Sequence, residues 1–308
     1  MPVLSMIERV VEITDHELHL SLYRGFMQVK KDSEEVGRVP LADMSVLLWS
    51  SLGSSISSRL ISALLDNNVM IVFCGENFHP KGMIWPMEGH HAHAGRLELQ
   101  TAVSLPLQKR LWQQIVMAKI RAQGSALKHF SLSDKGLTAL SERVSSGDKE
   151  HLEAQAARRY WPALMGPGFH RDRQAGGINA MLNYGYAVLR AATARAVSAC
   201  GLHPAFGLHH RNDLNPFRLV DDLMEPFRPM VDCQVRKLSD AGMNEVDTPV
   251  KEKLAGILKM DFQSSRGKTP LFNCLLWLAQ SLVNSFQSKE TQLELPLSVL
   301  PVVWTKEE

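Results

Sequence analysis

Carboxylates and imidazoles fall together at two places in this 308-residue chain. The first is Glu150 to Trp161, read Glu-His-Leu-Glu-Ala-Gln-Ala-Ala-Arg-Arg-Tyr-Trp. On a helix, Glu153, Ala157 and Trp161 share one face, and the small Ala154, Ala156 and Ala157 let a neighbouring element approach, so a carboxylate can enter a packed groove. Taken alone, the segment also reads as an ordinary surface helix. The second place is Gly207 to Arg228. There His209 and His210 follow a helix break, and Asp221, Asp222 and Glu225 recur at three- and four-residue steps at the start of the next helix. Carboxylates with a neutral imidazole suit Mg²⁺ or Mn²⁺, which prefer oxygen ligands, manganese also accepting nitrogen. Helix capping accounts for Asp221 and Asp222 by themselves, but poorly for the whole run from His209 to Glu225.

Other groupings carry less chemistry. His79, His90, His91 and His93 lie in a loop-like stretch with no acid or cysteine pattern to define a metal geometry, and read as surface or DNA-facing residues. Arg266-Gly267-Lys268-Thr269 ends like a phosphate-binding loop. It lacks the preceding glycine at the required spacing and follows no clear strand, so a positively charged turn is the simpler reading. Cys74, Cys200, Cys233 and Cys274 are far apart in apolar surroundings, which predicts buried, reduced thiols. Tyr160, Trp161, Tyr184 and Tyr186 could stack on a splayed base, but their apolar helical setting favours packing in the core.

The 34 lysines and arginines nearly balance 32 aspartates and glutamates, so net charge does not mark a nucleic-acid binder. Distribution says more: Thr101 to Ser133 holds Lys109, Arg110, Lys119, Arg121 and Lys128 and no acid. With Arg158 and Arg159, these are candidate phosphate contacts that would set affinity and register rather than read bases. No apolar stretch is long enough to span a bilayer, and a cytoplasmic protein with no membrane partner is expected.

The elements that must position these residues fall into two kinds. Met6 to Ile13, Glu17 to Leu22, Phe26 to Val29 and Met44 to Trp49 read as short strands, with turns at Thr14–Asp15, Arg24–Gly25 and across Lys30 to Glu35. Ser54 to Leu65 changes to a helical period, and Val69 to Phe73 returns to a buried strand. Cys74 to Arg96 is broken by glycines and prolines. From Leu107 helices dominate: to Phe130, Leu137 to Val144, Glu150 to Trp161, Ile178 to Cys200, Val220 to Ala241 with a break at its prolines, Val250 to Met260 and Pro270 to Phe286. The fold class is α+β: a β-rich N-terminal domain over 1–95, then an all-α catalytic domain over 96–308.

Joined in order, Glu153-Ala154-Gln155-Ala156-Ala157-Arg158-Arg159-Tyr160-Trp161, Gly207-Leu208-His209-His210 and Asp222-Leu223-Met224-Glu225-Pro226-Phe227-Arg228 closely resemble the CRISPR-associated integrase of spacer acquisition, in the form belonging to type II systems. The likeness runs over nearly the full chain, including Phe73 to Gly82 and Lys119 to Gln123. It implies a homodimer whose β-rich domain serves dimerisation and partner binding. It also implies a heteromeric integration complex with a small ferredoxin-like CRISPR-associated partner, protospacer and repeat DNA as substrates, and the type II effector nuclease as a further partner. Carried over residue by residue, Glu153 matches the first metal-binding carboxylate, His210 the metal-binding imidazole and Glu225 the second carboxylate. Asp222 matches a supporting acid beside them. Ala154 departs from the glycine of many relatives, adding one methyl group where helices approach.

The expected reaction is a metal-dependent transesterification in which a protospacer 3′-hydroxyl attacks a phosphodiester at a repeat boundary. Two readings compete with it: a divalent-metal nuclease on branched DNA, with water as the nucleophile, and a non-catalytic DNA-holding scaffold.

Overall fold

A computed structural model describes residues 9–51, 53–74, 80–84, 86, 93–297 and 300–302. Strands open the chain: β1 (Arg9–Ile13), β2 (Leu18–Tyr23), β3 (Phe26–Lys31), β4 (Glu34–Pro40), β5 (Met44–Trp49) and the short β6 (Ser55–Ile56). Helix α1 (Ser58–Asp66), β7 (Met70–Cys74) and β8 (Pro80–Ile84) complete this part. They form two four-stranded sheets, ordered β1-β5-β7-β8 and β4-β3-β2-β6. In the first sheet β5 pairs in parallel with both β1 and β7, while β8 is antiparallel.

The two central strands of the first sheet, β5 and β7, are buried on both faces, which is why they read as largely continuous apolar runs rather than alternating ones. Successive side chains still point opposite ways. Leu47, Trp49 and Ile71 pack with Leu20, Met27, Leu60 and Leu64 in a core between the two sheets and α1. Val46, Leu48, Met70, Val72 and Cys74 join the core of the helical region instead. Strands and helices therefore share one layer of packing.

The helices are α2 (His93–Thr101), α3 (Leu105–His129), α4 (Leu137–Glu142), α5 (Leu152–Met165), α6 (Ile178–Ala199), α7 (Arg218–Met224), α8 (Arg228–Asp240), α9 (Thr248–Ala255) and α10 (Leu271–Ser288). Helix α6 is buried nearly all round and touches β5, β7, α7, α8, α9 and α10, the position its predominantly apolar and alanine-rich sequence suits. At Gly185 a Cβ would collide with Val231, so the missing side chain lets α8 cross α6 closely. The break expected within Val220 to Ala241 is a 3₁₀ turn over Glu225–Phe227. Pro226 and Pro229 lack the N–H that would continue the α-helical ladder there.

Several expectations need correction. The turn assigned to Lys30 to Glu35 is confined to Asp32 and Ser33, both at positive φ, and Glu34–Pro40 is a strand. Its solvent-facing position at a sheet edge allows a polar sequence that hides the strand signal. The broken segment Cys74 to Arg96 contains β8 and the start of α2. The helical region carries an antiparallel hairpin of β9 (Asp261–Ser264) and β10 (Gly267–Pro270), so Gly267-Lys268-Thr269 does follow a strand and is itself one. The hairpin runs directly into α10 with no phosphate-binding loop. His79, His90, His91 and the side chain of His93 lie outside the described residues. The four cysteines are buried and form no disulfide. No described helix is long and apolar enough to cross a membrane.

Candidate active site

Glu153 sits in the first turn of α5, whose entry is fixed by a residue that sequence reasoning passed over. Asp148, itself buried, accepts the Leu152 N–H at 2.8 Å and the Glu153 N–H at 3.1 Å. These are two of the donors that a helix start leaves without an internal partner, and a carboxylate there also suits the helix dipole. An acid four residues ahead of the helix was the available signal. Ala154 is exposed, so its extra methyl group is accommodated in solvent.

Glu225 opens the 3₁₀ turn between α7 and α8 and is 5% exposed. Its Oε1 accepts the Arg228 Nε–H at 2.8 Å. Its Oε2 has one polar neighbour among the described residues, the Lys119 ammonium at 2.5 Å. The same ammonium donates to Glu153 Oε1 at 2.5 Å. Lys119, on α3, thus lies between the two carboxylates, and its expected role as an exposed phosphate contact is not what the geometry gives. Burial works against its charge, but Glu225 and Glu153 outweigh that and raise its pKa above the usual lysine range. Burial likewise opposes the Glu225 carboxylate, yet Arg228 and Lys119 hold it at about 2.

The imidazole comes from the loop between α6 and α7, and the structure separates the two histidines. His209 stacks on Trp112, ring centroids 4.4 Å apart and planes 2° from parallel. Burial there lowers its pKa. His210 turns its Nδ1 to Asp222 Oδ1 at 2.6 Å, a contact that raises its pKa. In the neutral ring with Nδ1–H donated, Nε2 carries the lone pair, the usual way a protein orients a ligating imidazole. His210 and Glu225 lie close enough for each charge to shift the other's titration.

Asp222 is fully buried and uses both oxygens on this loop. Oδ2 accepts the N–H groups of Leu208 at 2.6 Å and His209 at 3.0 Å, and Oδ1 accepts that of His210 at 3.3 Å as well as its ring. Gly207 permits the approach, since a Cβ there would stand 2.8 Å from Arg218 Cβ and 2.9 Å from Asp222 Oδ2. Asp221 instead forms a two-pronged pair with Arg190, at 2.6 and 3.0 Å. Neither aspartate caps its own helix, although Asp221 lies in its first turn, where the helix dipole favours an acid.

His210 lines two depressions. One, of about 340 Å³, is walled by Arg171, Arg190, Arg228, Tyr186 and Asn215. The other, of about 740 Å³, lies across the Gly207–His210 loop against Leu105, Phe206, Arg211 and Arg218. Tyr186 and Tyr160 are buried and donate their hydroxyls to Asp232, the first through a very short contact and the second at 3.0 Å. Arg228 lies over the Tyr186 ring, 4.7 Å from its centroid, which ties Glu225 to this buried network. Tyr184 is buried too, and its hydroxyl reaches Glu12 of β1 at 3.1 Å.

The remaining candidate cations do not converge on the carboxylates. Lys109, Arg110, Arg121, Lys128, Arg158 and Arg159 are exposed. Lys128 lies 3.9 Å from Asp134, and Arg159 donates to the Lys135 carbonyl at 3.4 Å.

Among the described residues no three His, Cys, Asp or Glu side chains are gathered at ligand distance. The donor set nevertheless fits a hard divalent ion: two carboxylates from separate elements already gathered about one positive charge, a Glu225 oxygen with no other partner, and an imidazole held with Nε2 open.

A two-sheet unit is packed on a helical body, and the pair Glu153 and Glu225 about Lys119 lies in the helical part. The profile described as CRISPR associated protein Cas1 matches residues 11–264, and the chain belongs to this family. It is 39% identical over 293 residues to the CRISPR-associated endonuclease Cas1 of Neisseria meningitidis serogroup C strain 8013, covering 92% of this chain and 94% of that protein. The fold is shared with a casposase bound to its integration product, at a TM-score of 0.79 and 18% identity over 93% of this chain and 92% of that one. It is also shared with a chain of a Cas6-RT-Cas1–Cas2 complex, at a TM-score of 0.76 and 16% identity, covering 96% of this chain and 36% of the longer one.

Proposed function

We propose that this protein is the integrase of CRISPR spacer acquisition, joining the 3′-hydroxyl ends of protospacer DNA to repeat DNA by metal-dependent transesterification. The observation that carries the reading is Lys119 bridging Glu153 and Glu225 from separate elements, with His210 near enough to Glu225 for each charge to affect the other and lining two depressions. Two DNA segments have to meet at one phosphorus in strand transfer, and two depressions that share His210 suit that need. The kinship with Cas1 endonucleases and the fold shared with a casposase on its integration product support it.

In this reaction the donor 3′-oxygen forms a bond to the target phosphorus as the bond to the repeat strand's 3′-oxygen breaks. The proton of the attacking hydroxyl ends on the departing 3′-oxygen. One phosphodiester replaces another, so no nucleotide is consumed. Glu153, Glu225 and His210 Nε2 would hold Mg²⁺ or Mn²⁺, which supplies charge stabilisation at the phosphate oxygens and a more acidic nucleophile. Asp222 keeps the His210 ring in the required tautomer and holds its loop. Arg228 fixes the Glu225 carboxylate, and Arg171 and Arg190 line the adjoining cleft where phosphates of an entering strand would lie.

In this reading residues 1–95 serve dimerisation and partner binding and residues 96–308 serve catalysis. The small partner corresponds to the Cas2 named in the complex whose Cas1-like chain shares this fold. Arg110, Arg121, Arg158 and Arg159, with Lys109 and Lys128, would track the DNA backbone.

The test is a strand-transfer assay with a labelled duplex bearing free 3′-hydroxyl ends, a repeat-containing target, the small partner and Mg²⁺ or Mn²⁺. A larger covalent product that disappears in Glu153→Ala, His210→Ala and Glu225→Ala is the expected result, with DNA binding largely retained. Shortened or nicked DNA without joined product would replace integration by hydrolysis, and full joining by all three variants would overturn the site.

A further inference from the structure

The arrangement around Lys119 goes beyond holding two acids in place. Its ammonium is 2.5 Å from Glu153 Oε1 and 2.5 Å from Glu225 Oε2, with its side chain 13% exposed. The two acids come from α5 and from the turn after α7, so the lysine joins elements that are otherwise separate. Arg228 stays on the other Glu225 oxygen and needs no rearrangement to remain there. Among the described residues Oε2, by contrast, has no partner besides the lysine, and an unpaired anionic oxygen at that depth would be costly. Lysine is a compact charge on a flexible four-carbon stem, able to swing out where the rigid guanidinium fork of an arginine would not.

Resting on the metal-binding reading above, we infer that Lys119 is an internal placeholder cation: it occupies the metal's place between Glu153 and Glu225 while no divalent ion is bound, and is displaced when one binds. The site is then assembled and charge-balanced before metal arrives. Two acids facing each other without a cation would repel and spread α5 from the 3₁₀ turn. The same contact weakens metal binding, because the ion competes with a ligand that cannot diffuse away. An occupied site lowers apparent affinity by the fraction of molecules in which it is open.

The test measures Mn²⁺ binding to the full-length protein by calorimetry, with Glu153→Ala as the reference for site-specific binding. Lys119→Met is expected to bind Mn²⁺ about tenfold more tightly than the wild type, a tenfold gain being what an open fraction of roughly one in ten would hide. Unchanged or weaker binding in Lys119→Met, with wild-type binding that depends on Glu153, overturns the placeholder and leaves the metal site standing. Absence of Glu153-dependent binding in both proteins overturns the metal reading itself, and the placeholder with it. Because Lys119→Met strips Glu225 Oε2 of its partner, a measurement on the wild type accompanies it: acetylation of lysine amines, quantified by mass spectrometry. Saturating Mn²⁺ is expected to raise labelling of Lys119 and leave the exposed Lys109 and Lys128 unchanged. Labelling of Lys119 that stays flat or falls contradicts displacement.

Discussion

Replacing Asp222 by asparagine tests how the His210 loop is held. The carboxylate, itself fully buried, takes three backbone N–H groups and the Nδ1–H of His210. Asparagine keeps one acceptor oxygen. Placed at the Oδ2 position, it preserves the bonds to Leu208 and His209, while its NH₂ group points at the His210 N–H and ring nitrogen. The ring then accepts at Nδ1 and carries its proton on Nε2, the tautomer that cannot ligate a metal through Nε2. Hydrogen bonds to a charged group contribute about 1.5–3 kcal/mol each, and the retained pair is weakened with the charge gone, so a loss of about 2–3 kcal/mol is expected. For a protein of this size, at about 2.1 cal/mol/K of unfolding entropy per residue, that lowers the melting temperature by roughly 3–5 °C. Strand transfer should fall about 10–100-fold, the usual effect of removing the partner that orients a ligating histidine. The assay pairs thermal melting with strand transfer at a temperature where both proteins are folded. A variant that melts lower yet joins DNA at the wild-type rate would refute the tautomer argument, and one that melts normally would refute the account of the loop.

Two further outcomes follow from the same geometry. Gly207→Ala places a Cβ 2.8 Å from Arg218 Cβ, 2.9 Å from Asp222 Oδ2 and 3.0 Å from the His210 carbonyl, so the loop must shift at a cost of about 1–3 kcal/mol. Strand transfer should be lost while the far-ultraviolet circular dichroism spectrum stays native, and wild-type activity would show that the close approach is unimportant. Asp232 is pushed up to about 7 by burial, against hydrogen bonds from Tyr186 and Tyr160. Its folded value lies above the ordinary 3.8, so the stability it contributes is complete below about pH 4 and is lost as pH rises through 7. Asp232→Asn should remove roughly 2–4 kcal/mol of that pH dependence in urea unfolding between pH 4 and 8. An equally steep dependence in the variant would place the titrating group elsewhere.

Much of the fold was written in local pattern. The strand Met44–Trp49, the start of the long helix at Ile178 and the proline break near Glu225 follow from periodicity and from what proline forbids. Strand β4 and the hairpin β9–β10 escaped because a polar edge strand and a short Gly-Lys-Thr run carry no apolar alternation. The order and spacing of the Glu153, His210 and Glu225 motifs marked the family.

The sequence by itself determined which residue types could do phosphate chemistry and which elements would carry them, because periodicity and motif spacing are local. Only the tertiary structure decided what those residues meet. It put Lys119 between acids 34 and 106 positions further along the chain, stacked His209 on Trp112 while turning His210 to Asp222, and sent alternate residues of β5 into two different cores. Each of these is a contact between segments distant in sequence, set by how helices and sheets pack rather than by the pattern within any one of them.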